Sequence, residues 1–67
     1  MLLEINENLW VNVDGIELLR LEKNGSDLPA YFKLNNSDEL YSLTAHEYYY
    51  LAAVLKMFGK RKITGEG

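Results

Sequence analysis

The sequence predicts an α+β fold, in which a small antiparallel β-meander of three to four strands is followed by one C-terminal α-helix. Short apolar segments are separated by clusters of Asn, Asp, Gly and Ser, which is typical of strands joined by turns. A helix-capping pattern begins at Thr44 and is followed by apolar residues at helical spacing. The chain has 67 residues, which is enough for one small domain.

The predicted strands lie between these turn signals. They are segments 2–5, 9–13, 16–23, 30–34 and 39–43. Turns or bulges are expected at 14–15, 24–27 and 35–38. Within segment 9–13, Leu9, Val11 and Val13 alternate with Trp10 and Asn12, as in a strand with one buried face.

Segment 16–23 breaks this alternation, because Ile16 and Leu18 point to one side and Leu19 and Leu21 to the other. A β-bulge that resets the register is one explanation. The other is a strand that is covered on both faces, of which a single helix can cover only one. A second apolar face on so short a chain favours a protein partner, most simply another copy. We therefore expect a homo-oligomer.

The helix has clear signals at both ends. Thr44 and Glu47 have the spacing of a capping box, and Leu43 and Tyr48 have the spacing of a hydrophobic staple. Gly59 stands where a left-handed residue commonly ends a helix. The spacing predicts a helix that ends near residue 58.

Three consecutive tyrosines, Tyr48 to Tyr50, point about 100° apart on a helix and cannot all enter one core. The predicted core stripe consists of Tyr48, Leu51, Ala52, Leu55 and Phe58. A second stripe consists of Tyr50, Val54 and Met57, while Tyr49 faces outward beside Ala53 and Lys56. Tyr50 could instead lie on the shoulder of a wide core face.

These patterns define a candidate interface for a partner or a second copy. Its residues are Tyr49, Tyr50, Val54 and Met57 on the helix and Leu19, Leu21 and Tyr31 on the sheet. Tyrosine suits interfaces because a large ring comes with a hydroxyl group that tolerates water.

Composition limits the class of protein. The chain has no cysteine, which excludes disulfides and thiolate metal sites, so good packing or oligomerisation must stabilise it. Without a long apolar segment or a signal peptide, a soluble cytoplasmic protein is expected. The net charge is −3, and acids dominate up to residue 55 while cations cluster in 56–62. We expect one domain, 1–59, followed by a flexible basic tail, 60–67.

No enzymatic chemistry is expected, and no catalytic, cofactor or metal site is predicted. His46 is the only histidine, so a catalytic triad or a multi-histidine metal site has at most one of its members. The segment from His46 to Tyr50 also lacks the second histidine of a zinc-protease helix.

Single-stranded nucleic-acid binding is the alternative function. Aromatic side chains on a sheet can stack with unpaired bases, and a basic tail can contact phosphates. The candidate contacts are Tyr31, Phe32, Tyr41, Lys60, Arg61 and Lys62.

Segments 9–22 and 30–55 resemble the small flagellar proteins of the FlbD-like type. The matching positions are Trp10, Asn12, Ile16 and Glu17 in the first element and Phe32, Leu34, Tyr41 and Leu43 in the following hairpin. Segment 35–38 departs from the Asn-Gly or Asp-Gly turn of that pattern. The layout is also similar to that of short bacteriophage-encoded proteins, many of which inhibit or regulate host proteins. The resemblance implies a scaffold and no catalytic residue.

Together these observations predict a small non-enzymatic binding protein that self-associates. The expected role is that of a phage- or mobile-element-encoded regulator or inhibitor, which engages a host protein or sequesters a small ligand.

Overall fold

The computed structural model describes residues 1–22, 29–60 and 63–66. They form six strands, one short 3-10 turn and one α-helix. The elements are β1 (Leu2–Asn6), β2 (Leu9–Asn12), the 3-10 turn Val13–Gly15, β3 (Ile16–Leu21), β4 (Ala30–Leu34), β5 (Leu40–Leu43), α1 (Ala45–Met57) and β6 (Thr64–Glu66). The α+β class with its C-terminal helix is confirmed. The predicted turn at 24–27 lies outside the described residues.

The described strands form two sheets. Strands β3, β4 and β5 make an antiparallel meander, as predicted, in a four-stranded sheet of order β5-β4-β3-β6. Strands β1 and β2 pair with each other as a separate antiparallel hairpin. The meander therefore comprises β3, β4 and β5, and the first two strands lie outside it. The 3-10 turn redirects the chain between the hairpin and β3.

The irregular alternation in β3 is a bulge. Ile16 pairs with Leu34 and Leu18 with Lys33, so the register shifts between them. The extra residue returns Ile16 to the same side as Leu19, and both are buried. Of the two explanations that the sequence left open, the structure shows the bulge.

The core lies between the four-stranded sheet, α1 and the hairpin. Its fully buried large side chains are Val13, Leu19, Phe32, Leu51 and Leu55. The inner side of the hairpin contributes Ile5 and Val11, which are also buried. Each layer thus covers apolar side chains that would otherwise face water. Burial of this apolar surface is the main favourable contribution to the free energy of folding of so small a chain.

The segment after α1 differs from the predicted tail. Strand β6 pairs in parallel with β3, where Arg20 lies opposite Gly65. Ile63 packs against the core, and the hydroxyl group of Tyr48 donates to the Gly65 carbonyl at 3.2 Å. A domain boundary at residue 59 with a frayed tail beyond it is therefore wrong for residues 63–66. Arg61, Lys62 and Gly67 lie outside the described residues.

Two polar contacts connect the N-terminal part of the chain to the two ends of α1. The side-chain amide of Asn6 donates to Glu47 at 2.9 Å near the start of the helix. Beyond its end, the Lys60 ammonium group lies 3.4 Å from the Asp14 carboxylate, which also accepts from the Met1 amino group at 3.0 Å. The first contact ties β1 to the start of α1, the second ties the 3-10 turn to the residue after Gly59, and the outer face of the hairpin is exposed.

Candidate functional site

The start of α1 fixes which side of the helix meets solvent. The Glu47 N–H donates to the Thr44 hydroxyl oxygen at 3.1 Å, and the Thr44 N–H donates to the Glu47 carboxylate at 2.8 Å. This is the predicted capping box. The bond from the Thr44 backbone, followed by the bond from Asn6, holds the pKa of Glu47 below its usual value. The cap therefore also anchors the hairpin.

The end of α1 is equally well defined. Gly59 adopts the left-handed conformation with φ of 76°, as its position predicts. The N–H groups of Gly59 and Lys60 donate to the carbonyls of Lys56 and Leu55, at 3.1 and 2.9 Å. These two bonds are those of a Schellman motif. The hydrogen-bonded motifs at both ends of α1 thus limit rotation of the helix about its axis.

The three tyrosines have three different environments. Tyr48 is buried, as predicted, whereas Tyr49 and Tyr50 remain 54% and 45% exposed. The Tyr49 ring packs edge-on against Tyr48, with the ring centres 5.2 Å apart. Tyr49 is thus an exposed aromatic whose position is partly fixed by the core, which lowers the entropic cost of a contact made through it.

The exposed side of α1 carries apolar side chains where a surface helix usually carries charges. Met57 is 82% exposed, and Ala53 is exposed between it and Tyr49. We define the helix face as Tyr49, Tyr50, Ala53 and Met57. Val54, placed in the candidate interface from the sequence, is only partly exposed and packs against the core. It therefore occupies the shoulder of the buried face.

Phe58 was expected in the core stripe and is instead 52% exposed. It is the C-cap residue, with φ of −96° and ψ of 11°. The helical phase used to assign it to the core applies only to residues within the helix. Its assignment to the core stripe is wrong for that reason.

The sheet residues of the candidate interface divide between core and surface. Leu19 and Leu21 are buried beneath α1, so their assignment to an interface is wrong, because the bulge turns both toward the core. Tyr31 is half-buried on the opposite, outer face. Its hydroxyl group donates to the Glu22 carboxylate at 3.2 Å, and burial followed by this bond raises the pKa of Tyr31.

The aromatic platform required by the nucleic-acid alternative is not assembled. Phe32 is buried and stacks with Tyr41, with the ring centres 5.0 Å apart, on the side of the sheet that faces α1. Tyr31 lies on the other side, so the three rings cannot stack with one strand of bases. Of the basic contacts, Lys60 pairs with Asp14, while Arg61 and Lys62 lie outside the described residues.

A second exposed surface, which is not among the residues predicted from the sequence, lies on the outer side of the β1–β2 hairpin. Trp10 and Leu2 are 57% and 65% exposed there, and Met1 beside them is also exposed. The alternation in segment 9–13 had already placed Trp10 opposite the buried residues. An aromatic side chain at a predicted outward position was the available signal.

Neither a metal-binding cluster nor a pocket is present among the described residues. No cluster of three or more His, Asp or Glu side chains suited to a metal ion occurs among them. The surface formed by residues 1–22, 29–60 and 63–66 contains no pocket. Within that part of the chain, no helix combines the length and the apolar character needed to cross a membrane.

The fold and these surfaces define a small α+β protein with an exposed apolar helix face and an exposed aromatic hairpin. Comparisons with family models, with curated proteins and with solved structures find no match. The resemblance to FlbD-like and phage-encoded proteins therefore stays a prediction.

Proposed function

We propose that this protein acts by binding, that it self-associates through the helix face, and that it regulates or inhibits another protein. The observation that carries the proposal is the exposure of Tyr49, Tyr50 and Met57 around Ala53. Contiguous apolar side chains on a surface mark sites of protein contact.

Charge favours a second copy as the occupant of this face. The only ionisable side chains besides tyrosine on the exposed side of α1 are those of His46 and Lys56. Glu47 lies at the edge of this side, and its carboxylate accepts hydrogen bonds from the Thr44 N–H and the Asn6 side-chain amide. Other surfaces carry carboxylates such as Glu17 and Glu22. Two copies of this acidic chain can therefore meet at the helix face without opposing carboxylates.

Helical spacing suggests how the copies pair. In an antiparallel pair with its two-fold axis at Ala53, the small side chains allow close approach of the helices. Met57 of each copy then lies opposite Tyr49 of the other, and Lys56 opposite Tyr50. Thioether–aromatic and cation–π contacts are both favourable.

The size of the helix face predicts a weak association. Its exposed side chains supply roughly 400 Å² per copy, about half of what a standard interface contributes on each side. Such a dimer is expected to form in the micromolar range and to dissociate on dilution. A protein partner, or a small ligand held between copies, adds contacts that the pair alone does not have.

Sedimentation velocity over a wide range of protein concentration tests the proposal. The average mass of the wild type is expected to rise above the monomer mass of 7.7 kDa as concentration increases. Ala53→Glu places a carboxylate of each copy at the two-fold axis, so the variant is expected to remain monomeric. Its helix is expected to persist, because Glu and Ala are both good helix formers. Ser42→Glu adds the same charge on β5 and is the matched control.

Two results would overturn the proposal. One is a wild-type chain that remains monomeric at high micromolar concentration. The other is an association that Ala53→Glu and Ser42→Glu affect equally, with both variants folded by circular dichroism.

A further inference from the structure

The outer face of the β1–β2 hairpin places an exposed indole beside a carboxylate. Glu4 and Trp10 are cross-strand partners, so their side chains stand on the same face. Their Cβ atoms are therefore about 5 Å apart. Leu2, opposite Asn12, is the diagonal neighbour of Trp10, at about 7 Å. We define Leu2, Glu4 and Trp10 as the hairpin face.

Glu4 has no partner, whereas several other carboxylates of the described chain are paired. Asp14 pairs with Lys60, Glu17 with Lys33, and Glu22 with Arg20. Among the described residues, neither a hydrogen bond nor an ion pair engages Glu4. The hairpin face thus joins exposed apolar surface to an uncompensated negative charge, which selects a cationic occupant.

We propose that the hairpin face binds an extended, basic segment of a partner protein through an arginine and a nearby apolar residue. A guanidinium group can stack on the face of Trp10 while it donates hydrogen bonds to the Glu4 carboxylate. Arginine suits this position better than lysine, because its planar group stacks and donates in a fixed geometry.

Spacing defines the rest of the segment. Residues i and i+2 of an extended chain point to the same side and lie about 7 Å apart. That distance matches the separation of Trp10 from Leu2, so an apolar residue two positions from the arginine can cover Leu2. The occupant is therefore a segment in which an arginine and an aliphatic residue alternate with one intervening residue.

Binding of a basic segment specifies the kind of partner for the proposed function. It rests on that function in one respect, that the protein acts by binding. Self-association uses the helix face, whereas the basic segment uses the hairpin face. The two have separate readouts, so that one can fail while the other holds.

Trp10 is the only tryptophan of the chain, and its fluorescence reports directly on the site. The probe is an acetylated and amidated peptide, Thr-Leu-Thr-Arg-Thr, titrated into the full chain at low salt. A saturable change in the emission of Trp10 is expected. The same peptide with Glu in place of Arg is expected to produce none, and the Lys peptide a weaker response.

Variants connect the signal to the site. Glu4→Gln keeps the shape of the side chain and is expected to weaken binding about tenfold, the usual scale for loss of one charge-assisted contact. Asp38→Asn removes one negative charge from an exposed position outside the hairpin and is the control for net charge. It is expected to change the affinity by less than about twofold at moderate salt, because screening limits distant charges.

Several outcomes contradict the proposal. They are a response that does not saturate, equal responses to the Arg and Glu peptides, and equal effects of Glu4→Gln and Asp38→Asn. A fourth is a shift in Trp10 emission when the protein is concentrated without peptide. Such a shift would show that the hairpin face is occupied by a second copy, through its Lys56 or His46 side chain, and not by a partner segment.

Discussion

Replacement of Thr44 by alanine tests the element that sets the orientation of α1. The substitution removes the hydroxyl oxygen that accepts from the Glu47 N–H at 3.1 Å. The reciprocal bond, from the Thr44 N–H to the Glu47 carboxylate, does not need the threonine side chain. Thr44→Ala therefore removes one half of the cap and leaves the other in place.

The magnitude follows from the loss of one N-cap side chain, about 1 kcal/mol. The entropy of unfolding is about 2.1 cal/mol/K per residue, which for 67 residues converts that loss into a Tm decrease of about 7 °C. Differential scanning calorimetry at neutral pH measures it. Thr44→Ser keeps the hydroxyl group and is the matched control, with a change expected to be less than about 2 °C.

The acid side of the stability profile provides a second measurement. The pKa of Glu47 is lowered in the folded state, so its contribution is fully present above its ordinary value of 4.5 and is lost as pH falls through the folded value. Thr44→Ala is expected to retain most of this dependence, because the bond from the Thr44 backbone is its largest cause. Equal Tm values for Thr44→Ala and Thr44→Ser would refute the role assigned to the cap.

Three further predictions concern other parts of the chain. Leu19→Ala is expected to lower the free energy of unfolding by about 2–5 kcal/mol, because the side chain is fully buried. Leu40→Ala, on the exposed edge strand, is expected to lower it far less. Urea denaturation of the two variants measures the difference. Gly59→Ala is expected to cost about 1 kcal/mol from its left-handed backbone alone, since no neighbouring atom obstructs a Cβ; thermal melts measure this, and an unchanged Tm would contradict it. The amino group of Met1 and then Lys60 lower the pKa of Asp14, so its stabilising contribution is present above pH 3.8 and is lost at lower pH. Asp14→Asn is therefore expected to flatten the acid limb of stability against pH, and an unchanged limb would contradict this.

Local signals in the sequence predicted local structure well. The capping box at Thr44, the left-handed Gly59 and the turn at 35–38 each depend on the chemistry of a few consecutive residues. Asn36 adopts φ of 63° in that turn, a conformation that asparagine tolerates better than most residues. Such features are encoded within one or two turns of backbone, and no distant contact is needed to recognise them.

The sequence did not predict features that depend on distant pairing. In the sequence, the apolar residue next to strand β6 is Ile63, so the strand has little apolar pattern of its own. The strand pairs with β3, which is far away in the chain. Its stabilising contact from Tyr48 comes from the buried side of α1. In β3, side-chain alternation alone cannot separate a bulge from a strand with two covered faces. That ambiguity placed Leu19 and Leu21 in an interface instead of the core.

The helix face was accessible to sequence reasoning, because helical phase depends only on spacing within α1. The hairpin face was not, because its significance comes from the pairing of Trp10 with Glu4 across two strands and from the ion pairs that neutralise carboxylates elsewhere. The helix face is thus defined by local periodicity and the hairpin face by tertiary pairing.

We expect self-association through the helix face to strengthen binding through the hairpin face. Leu2, Glu4 and Trp10 lie on β1 and β2 and not on α1, so we expect a pair formed through the helix face to leave both hairpin faces exposed. A two-fold pair then presents two sites for basic segments, and a partner that carries two such segments gains effective concentration without any new contact. A peptide with two Arg-containing segments on a flexible linker is therefore expected to bind the wild type more tightly than Ala53→Glu, while the single-segment peptide binds both equally. Equal affinities of the double peptide for both proteins would show that the two faces act independently.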